Sequence, residues 1–156
     1  MEINWWLLVG LIILINLLGS IGAIFTSTGQ GTWFEKLKKP SFNPPNWLFG
    51  PAWALLFTLM GIALYFVITS QNSQVKTLAL TFFIIQMILN ILWSFLFFKS
   101  QNPLGAFIEI IILIIMIITT IFFFYKTNKI SGYLLIPYLL WTSFASILNY
   151  NLWKLN

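Results

Sequence analysis

Residues 33–53, WFEKLKKPSFNPPNWLFGPAW, form the one long polar interruption in a chain that otherwise alternates between apolar spans and short connectors. Pro40, Pro44 and Pro45 lack an amide donor and fix φ near about −65°, so residues 39–46 cannot form a continuous helix. Aromatic residues and lysines fill the positions between the prolines. We predict a structured lid. The alternative is an interfacial anchor, in which aromatic rings and lysines only meet the lipid headgroups.

The composition of the whole chain is that of an integral membrane protein. Of its 156 residues, 60% are hydrophobic and 7% are charged, whereas about a quarter of the residues of a soluble domain are charged. A membrane-spanning helix needs about 20 apolar residues, so residues 1–156 hold at most five or six spans in a single domain. The net charge of +5 indicates contact with anionic lipid headgroups rather than with nucleic acid.

The residue types that are missing exclude several kinds of chemistry. The sequence has no cysteine and no histidine, which rules out thiolate catalysis, imidazole bases and the commonest metal ligand. Its three acidic residues, Glu2, Glu35 and Glu109, are scattered over a terminus, a loop and a span, so they do not form a catalytic pair. There is no glycine-rich phosphate motif. We therefore expect no metal, no cofactor, and neither hydrolytic nor nucleotide-driven activity.

The hydropathy pattern predicts an all-α bundle of five membrane-spanning helices, with the two termini on opposite sides of the membrane. Glu2 is unlike the positive start of a cleaved signal sequence, so the first span is expected to stay in the mature protein. The predicted spans are residues 4–26, 47–69, 77–98, 103–125 and 133–153.

Three of these spans carry aromatic and amide side chains that recur at helical spacing on one face. Amides at membrane depth are unfavourable unless they find partners or a wet cavity. We predict that the three faces converge on an apolar cavity with a few polar groups, as a flat hydrophobic ligand requires. Helix packing alone explains any single tryptophan well, but it explains the set less well. The faces are Trp53 with Phe57; Gln86, Asn90 and Trp93; and Tyr138, Trp141, Ala145 and Asn149.

Several single positions carry expectations of their own. Pro51 is expected in the first turn of the second span, where its missing donor is tolerated, and Pro137 should bend the last span or free a carbonyl. Gly19 and Ala23 form a small-residue pair that would let another helix approach closely. Glu109 lies within the fourth span without a basic partner, so we expect it to serve packing or pocket polarity rather than proton transfer.

Three stretches together resemble the signatures of the TspO/MBR family, the translocator proteins also called peripheral benzodiazepine receptors. The first signature, W-[YF]-x-x-L-x-K-P-S-[WF]-x-P-P-x-W-x-[FL]-G-P-x-W, matches Trp33 to Trp53 at nearly every fixed position. A second stretch, L-N-x-x-W-S, runs from Leu89 to Ser94. The third, P-Y-x-x-W-x-x-F-A-x-x-L-N-Y-x-x-W-[KR], begins at Pro137. The resemblance favours the lid over the anchor.

The family resemblance implies a five-helix bundle of a bacterial cell membrane, commonly a homodimer, with a pocket beneath its first loop. Such pockets bind porphyrins such as protoporphyrin IX, and flat synthetic ligands of the benzodiazepine and isoquinoline carboxamide kinds. Phe34 stands where many members have tyrosine, which removes a hydroxyl contact. Without histidine a bound haem has no imidazole ligand, which favours metal-free porphyrin. By the family pattern, the ligand-binding residues are Phe34, Pro44, Trp53, Phe57, Asn90, Trp93, Trp141 and Ala145.

The resemblance leaves more than one function open. The first is a membrane receptor or sensor for tetrapyrroles. The second is an enzyme that degrades porphyrin in light and oxygen, with an indole radical at Trp53 or Trp141. The third is a carrier of tetrapyrroles or sterols, for which the sequence offers no inverted repeat. Leu148, Tyr150 and Lys154 fit a sterol motif, although the tyrosine and the lysine serve equally well as interface anchors.

The lysines orient the bundle weakly. By the positive-inside rule, the side with more lysines faces the cytoplasm, which here is the side of the lid and the C-terminus. The lysines on the lid side are Lys36, Lys38, Lys39, Lys99 and Lys154, and those on the other side are Lys76, Lys126 and Lys129.

Overall fold

The computed structural model describes residues 3–156, and within them the regular structure is entirely helical. Five helices are long and apolar enough to cross a membrane, which confirms the predicted fold class. Glu2, used above to argue against a cleaved signal, lies outside the described residues. The helices are α1 Trp5–Phe25, α2 Trp33–Lys36, α3 Asn46–Ile68, α4 Gln74–Ser94, α5 Pro103–Thr127, α6 Lys129–Leu134 and α7 Ile136–Leu155; a π-helical turn, Phe95–Lys99, continues α4.

Polar caps set where four of these helices begin. Asn4, Ser73, Asn102 and Asn128 each accept a hydrogen bond of 2.9–3.1 Å from an amide in the first turn of the helix that follows. Such caps satisfy amides that have no partner inside the helix. Pro103, the first residue of α5, needs no such partner. Short polar connectors therefore suffice to start each apolar span.

Two prolines differ from their predicted roles. Because α3 already begins at Asn46, Pro51 lies in its second turn rather than its first. The last span is broken at Leu135, two residues before Pro137: α6 ends at Leu134 and α7 begins at Ile136. Pro137 cannot donate to the carbonyl of Tyr133, so the helical ladder is interrupted there. The predicted bend is thus a break between two helices.

The first helix packs on α3 through two glycines. A Cβ added at Gly61 would lie 2.7 Å from the Cα of Ile12, and a Cβ added at Gly19 would overlap the ring of Phe57. Gly19 belongs to the small-residue pair singled out in the sequence, and it makes room for the Phe57 ring of α3. Ala23, the other member of the pair, stays exposed.

The first loop, residues 26–45, is folded over the end of the bundle. Thr32 caps α2, and the Glu35 carboxylate accepts a hydrogen bond from the amide of Gly31, close to the capping-box arrangement that the sequence T-x-x-E specifies. The side chain of Asn156 donates to the carbonyl of Lys38 at 3.1 Å and accepts from its amide at 2.9 Å. The loop and the C-terminal helix therefore lie on the same side.

Candidate ligand-binding site

A cavity of about 290 Å³ lies beneath α2, among α1, α3, α4 and α7. The sequence predicted eight ligand-binding residues, and all of them except Pro44 border this cavity. The residues brought together are Phe34, Trp53, Phe57, Asn90, Trp93, Trp141 and Ala145.

Pairs of aromatic rings form the side walls of the cavity. Two pairs are stacked and one is edge to face, which are the arrangements that aromatic rings favour. Each of the three indoles at the cavity is therefore held in orientation by a neighbouring aromatic ring. The pairs, with ring centroids 5.3–6.1 Å apart, are Trp53 with Phe57, Trp93 with Phe97, and Trp141 with Phe49.

The roof of the cavity is Phe34 of α2, which is only 3% exposed. Its ring packs on Phe97 and Phe98, at centroid distances of 6.2 and 5.6 Å. The ammonium of Lys39 lies 4.8 Å from the centroid of the Phe34 ring and donates to the carbonyl of Glu35 at 2.9 Å. A cation over an aromatic face is attractive, so Lys39 holds the roof in place.

One polar pair in the wall is fully satisfied by the protein. The indole N–H of Trp93 donates to Oδ1 of Asn149 at 3.0 Å, and Nδ2 of Asn149 donates to the carbonyl of Pro103 at 2.7 Å. This chain ties α4 to α7 and to the start of α5. Because both side chains are engaged with protein groups, they shape the cavity rather than offer a free donor to a ligand.

A second polar chain lies deeper in the bundle. Nδ2 of Asn90 donates to the hydroxyl of Tyr138 at 3.1 Å, and that hydroxyl donates to Oε1 of Gln86 at 2.8 Å. Of the three residues only Asn90 lines the cavity. Its Oδ1 accepts no hydrogen bond from residues 3–156, nor do the indole N–H groups of Trp53 and Trp141 donate to any of them. None of these three polar groups is therefore occupied by a protein partner among the described residues.

Pro44 lies outside the cavity, in a second and almost wholly apolar groove between α3 and α7. A turn in which the amide of Asn43 donates to the carbonyl of Pro40 at 3.0 Å directs this part of the loop toward α7. There the ring of Phe42 packs on that of Phe144, 6.3 Å away. This turn explains why Pro44 borders the groove rather than the cavity, and the family pattern alone did not specify the turn.

The first helix supplies a wall that the sequence prediction missed. Apart from the single amide of Asn16, its residues in the cavity lining are small or weakly polar, so they carry no repeated aromatic or amide pattern. The small-residue pair Gly19 and Ala23 indicated a close approach but not a cavity. The lining residues from α1 and the loop after it are Asn16, Gly19, Ser20, Gly22, Ala23, Thr26 and Thr28.

Glu109 is buried but does not border the cavity. It is 5% exposed, and neither of its carboxyl oxygens has a hydrogen-bond partner among the described residues. Its neighbours on the same helix face, Ala106 and Leu113, are apolar core residues. Glu109 therefore contributes to neither the cavity polarity nor a visible polar network.

The three sterol-motif residues do not all border the cavity. Leu148 is buried and borders the cavity, whereas Tyr150 and Lys154 are exposed on the outside of α7. The ammonium of Lys154 lies 4.3 Å from the ring centroid of Trp153 and 5.8 Å from that of Tyr150. This arrangement is that of an interfacial aromatic and lysine anchor.

Five spans, four of which enclose an aromatic cavity beneath a folded loop, define an integral membrane protein with an internal cavity. The model of the TspO/MBR family matches residues 11–154. The chain belongs to this family. It is thus a member of a family of membrane receptors and transporters, and it is an integral protein of a prokaryotic cell membrane.

Curated relatives cover most of the chain. It is 47% identical to the tryptophan-rich protein TspO of Archaeoglobus fulgidus over 152 residues, which is 96% of each chain. It is 35% identical to the protein CrtK of Rhodobacter capsulatus, over 88% of this chain and 85% of the relative. It is 30% identical to the translocator protein of Homo sapiens, over 82% of this chain and 78% of the relative.

Proposed function

We propose that this chain is a membrane receptor, or sensor, that binds tetrapyrroles such as protoporphyrin IX and related flat hydrophobic molecules in the cavity beneath α2. The observation that carries this proposal is the set of three indoles, from Trp53, Trp93 and Trp141, around one apolar space. Flat aromatic ligands stack on such rings, and the free Oδ1 of Asn90 offers one oriented polar contact. The absence of histidine from the sequence favours metal-free porphyrin.

The size of the cavity bears on how such a ligand sits. About 290 Å³ is at the lower end of the range of roughly 300–1,000 Å³ that small-molecule sites span. A tetrapyrrole is wider than the drug-sized molecules that fill such sites. It therefore keeps part of its rim outside the enclosed volume, or the first loop moves to admit it.

Protoporphyrin IX binding in the dark tests the proposal. Trp53→Ala removes one wall, and we expect affinity to fall by roughly thirtyfold, about 2 kcal/mol, as for other buried aromatic anchors. Trp6→Ala is the matched control, because Trp6 is 91% exposed on the outside of α1. Fluorescence titration of the reconstituted protein measures both variants. Equal affinities for Trp53→Ala, Trp6→Ala and the parent would remove the cavity as the binding site.

A porphyrin-degrading enzyme is the second candidate, favoured by one observation: Trp53 and Trp141 border the same cavity and neither indole N–H is bonded to a described residue. Illumination of the protoporphyrin IX complex in the presence of dioxygen separates the two functions. A new absorbing product whose yield collapses in Trp53→Phe or Trp141→Phe identifies the enzyme. Fluorescence quenching without a product identifies the receptor.

A further inference from the structure

The most exposed part of the cavity lining, among the described residues, faces the gap between α1 and α3. The lining residues that are exposed all belong to these two helices, and all are small. A Cβ added at Gly50 would meet no atom within 4 Å. The exposed lining residues are Ser20, Ala23, Gly50 and Ala54.

Contacts between the two helices close this gap at its inner end. Gly19 packs against the ring of Phe57, and Nδ2 of Asn16 donates to the hydroxyl of Thr58 at 3.3 Å. From Gly50 to Phe57 α3 rises by about 10 Å, at 1.5 Å per residue. The gap therefore extends over about two turns of α3.

At its outer end the gap is closed by the first loop. Nδ2 of Asn46, the first residue of α3, donates to the carbonyl of Thr28 at 2.7 Å. This bond links the loop to α3 above the exposed small residues. The gap is thus a window in the side of the bundle, bounded by α1, α3 and the loop.

The roof of the cavity offers no comparable passage. Phe34 in the roof is 3% exposed, Phe97 is 2% exposed, and Leu152 beside them is 1% exposed. The loop is further held by Asn156, which pairs with the backbone of Lys38. Entry through the roof would have to break these contacts, whereas entry through the window displaces only lipid chains.

We propose that the window between α1 and α3 is the entrance to the cavity, and that it admits flat hydrophobic molecules already dissolved in the acyl-chain region of the bilayer. Its rim carries no charged side chain, so it suits an aromatic edge. The carboxylates of a porphyrin stay outside, toward the lysine-rich face of the loop. The identity of the ligand rests on the proposed function, but the route does not.

A single thiol inside the cavity tests the route without any porphyrin. The chain has no cysteine, so Ala145→Cys places one reactive group in the cavity wall. In liposomes, this variant reacts with N-phenylmaleimide, which partitions into the bilayer. Adding Gly50→Leu narrows the window, and we expect labelling to slow by about tenfold because access becomes gated.

Gly10→Leu is the matched control. Gly10 is also an exposed glycine inside a long helix with no atom within 4 Å of an added Cβ, but it lies on α1 away from the window. Labelling of Ala145→Cys should keep the parent rate in this background. Ala23→Leu narrows the opposite rim and should act like Gly50→Leu. Equal labelling rates in all backgrounds would overturn the proposed route.

Porphyrin kinetics then separate the route from the ligand. Gly50→Leu should slow association and dissociation of protoporphyrin IX together, leaving Kd within about twofold, because an entrance changes rates and not equilibrium. A raised Kd with unchanged association would make Gly50 a wall residue and overturn the entrance. If the parent binds no porphyrin while cavity labelling still depends on Gly50, the ligand assignment fails and the entrance stands.

Discussion

Two buried polar residues, Glu109 and Gln86, differ in what their removal should do. Oε1 of Gln86 accepts the hydrogen bond of Tyr138, which in turn holds Asn90 at the cavity, although Nε2 of Gln86 has no partner among the described residues. Neither carboxyl oxygen of Glu109 has a partner among residues 3–156. A buried polar group with a partner stabilises the fold when both members are present, whereas one without a partner opposes it.

Glu109→Leu should therefore leave the thermal midpoint of the bundle unchanged or raise it. Gln86→Leu should lower the stability by about 1 kcal/mol, because the Tyr138 hydroxyl loses its acceptor in the core while the unpartnered Nε2 is also removed. Thermal unfolding of both variants in the same detergent measures the difference. If Glu109→Leu destabilises as much as Gln86→Leu, the Glu109 carboxyl has a hydrogen-bond partner outside the protein, such as a bound water.

Residues on regular helices could be predicted from spacing, and residues on the loop could not. Trp53, Asn90 and Trp141 each share a helix face with other aromatic or amide residues. The helical period therefore marks the three faces that line the cavity. The position of Pro44 depends on the turn at residues 40–43 and on where Phe42 finds a ring to pack against. Neither is encoded in a period, so the spacing of residues could not show that Pro44 borders the groove between α3 and α7 rather than the cavity.

At the scale of elements, close packing of α1 on α3 depends on glycine. Gly61→Ala adds a Cβ 2.7 Å from the Cα of Ile12, and such overpacking costs about 1–3 kcal/mol. Gly10→Ala, with open space around its Cβ, should be neutral or stabilising by up to about 1 kcal/mol. Unfolding midpoints of the two variants provide the comparison. A tolerated Gly61→Ala would mean that α1 shifts away from α3 without loss.

The first loop should act through its stiffness. Replacing Pro44 and Pro45 together by alanine enlarges the set of loop conformations that binding must restrict. We expect porphyrin affinity to fall by about tenfold, about 1.4 kcal/mol, while the helical circular dichroism and the ligand-free thermal midpoint barely move. Ser41→Ala, an exposed change in the same loop, serves as the control. Unchanged affinity in the double variant would make residues 33–53 an interfacial anchor.

Irregular elements limited how far the architecture could be predicted. The π-helical turn at Phe95–Lys99 has the same apolar composition as the helix before it, so no residue type announces the change in winding. The break at Leu135 could be anticipated only from Pro137, two residues later. The existence of five spans followed from the length of the apolar runs, because a bilayer requires every backbone group within it to be paired.

For the whole molecule, the excess of lysines on the first-loop side predicts that this side faces the cytoplasm. Gln71 lies in the connector between α3 and α4 on the opposite side, and Ser41 lies in the first loop; both are exposed. Single cysteines at these positions, treated in intact cells with an impermeant maleimide, report the orientation. We expect labelling of Gln71→Cys and protection of Ser41→Cys. The reverse labelling pattern would show that the first loop faces the outside of the cell.

The pairing of Asn156 with the backbone of Lys38 decides how the protein should be tethered in an optical sensor. A fluorescent protein fused directly after Asn156 would strain the two hydrogen bonds that hold the loop. The reporter would then alter the signal that it is meant to measure. An anchor at Gln71, on the far face of the bundle, leaves these bonds undisturbed. A sensor with its reporter attached there would respond to occupancy of the cavity and not to the attached reporter.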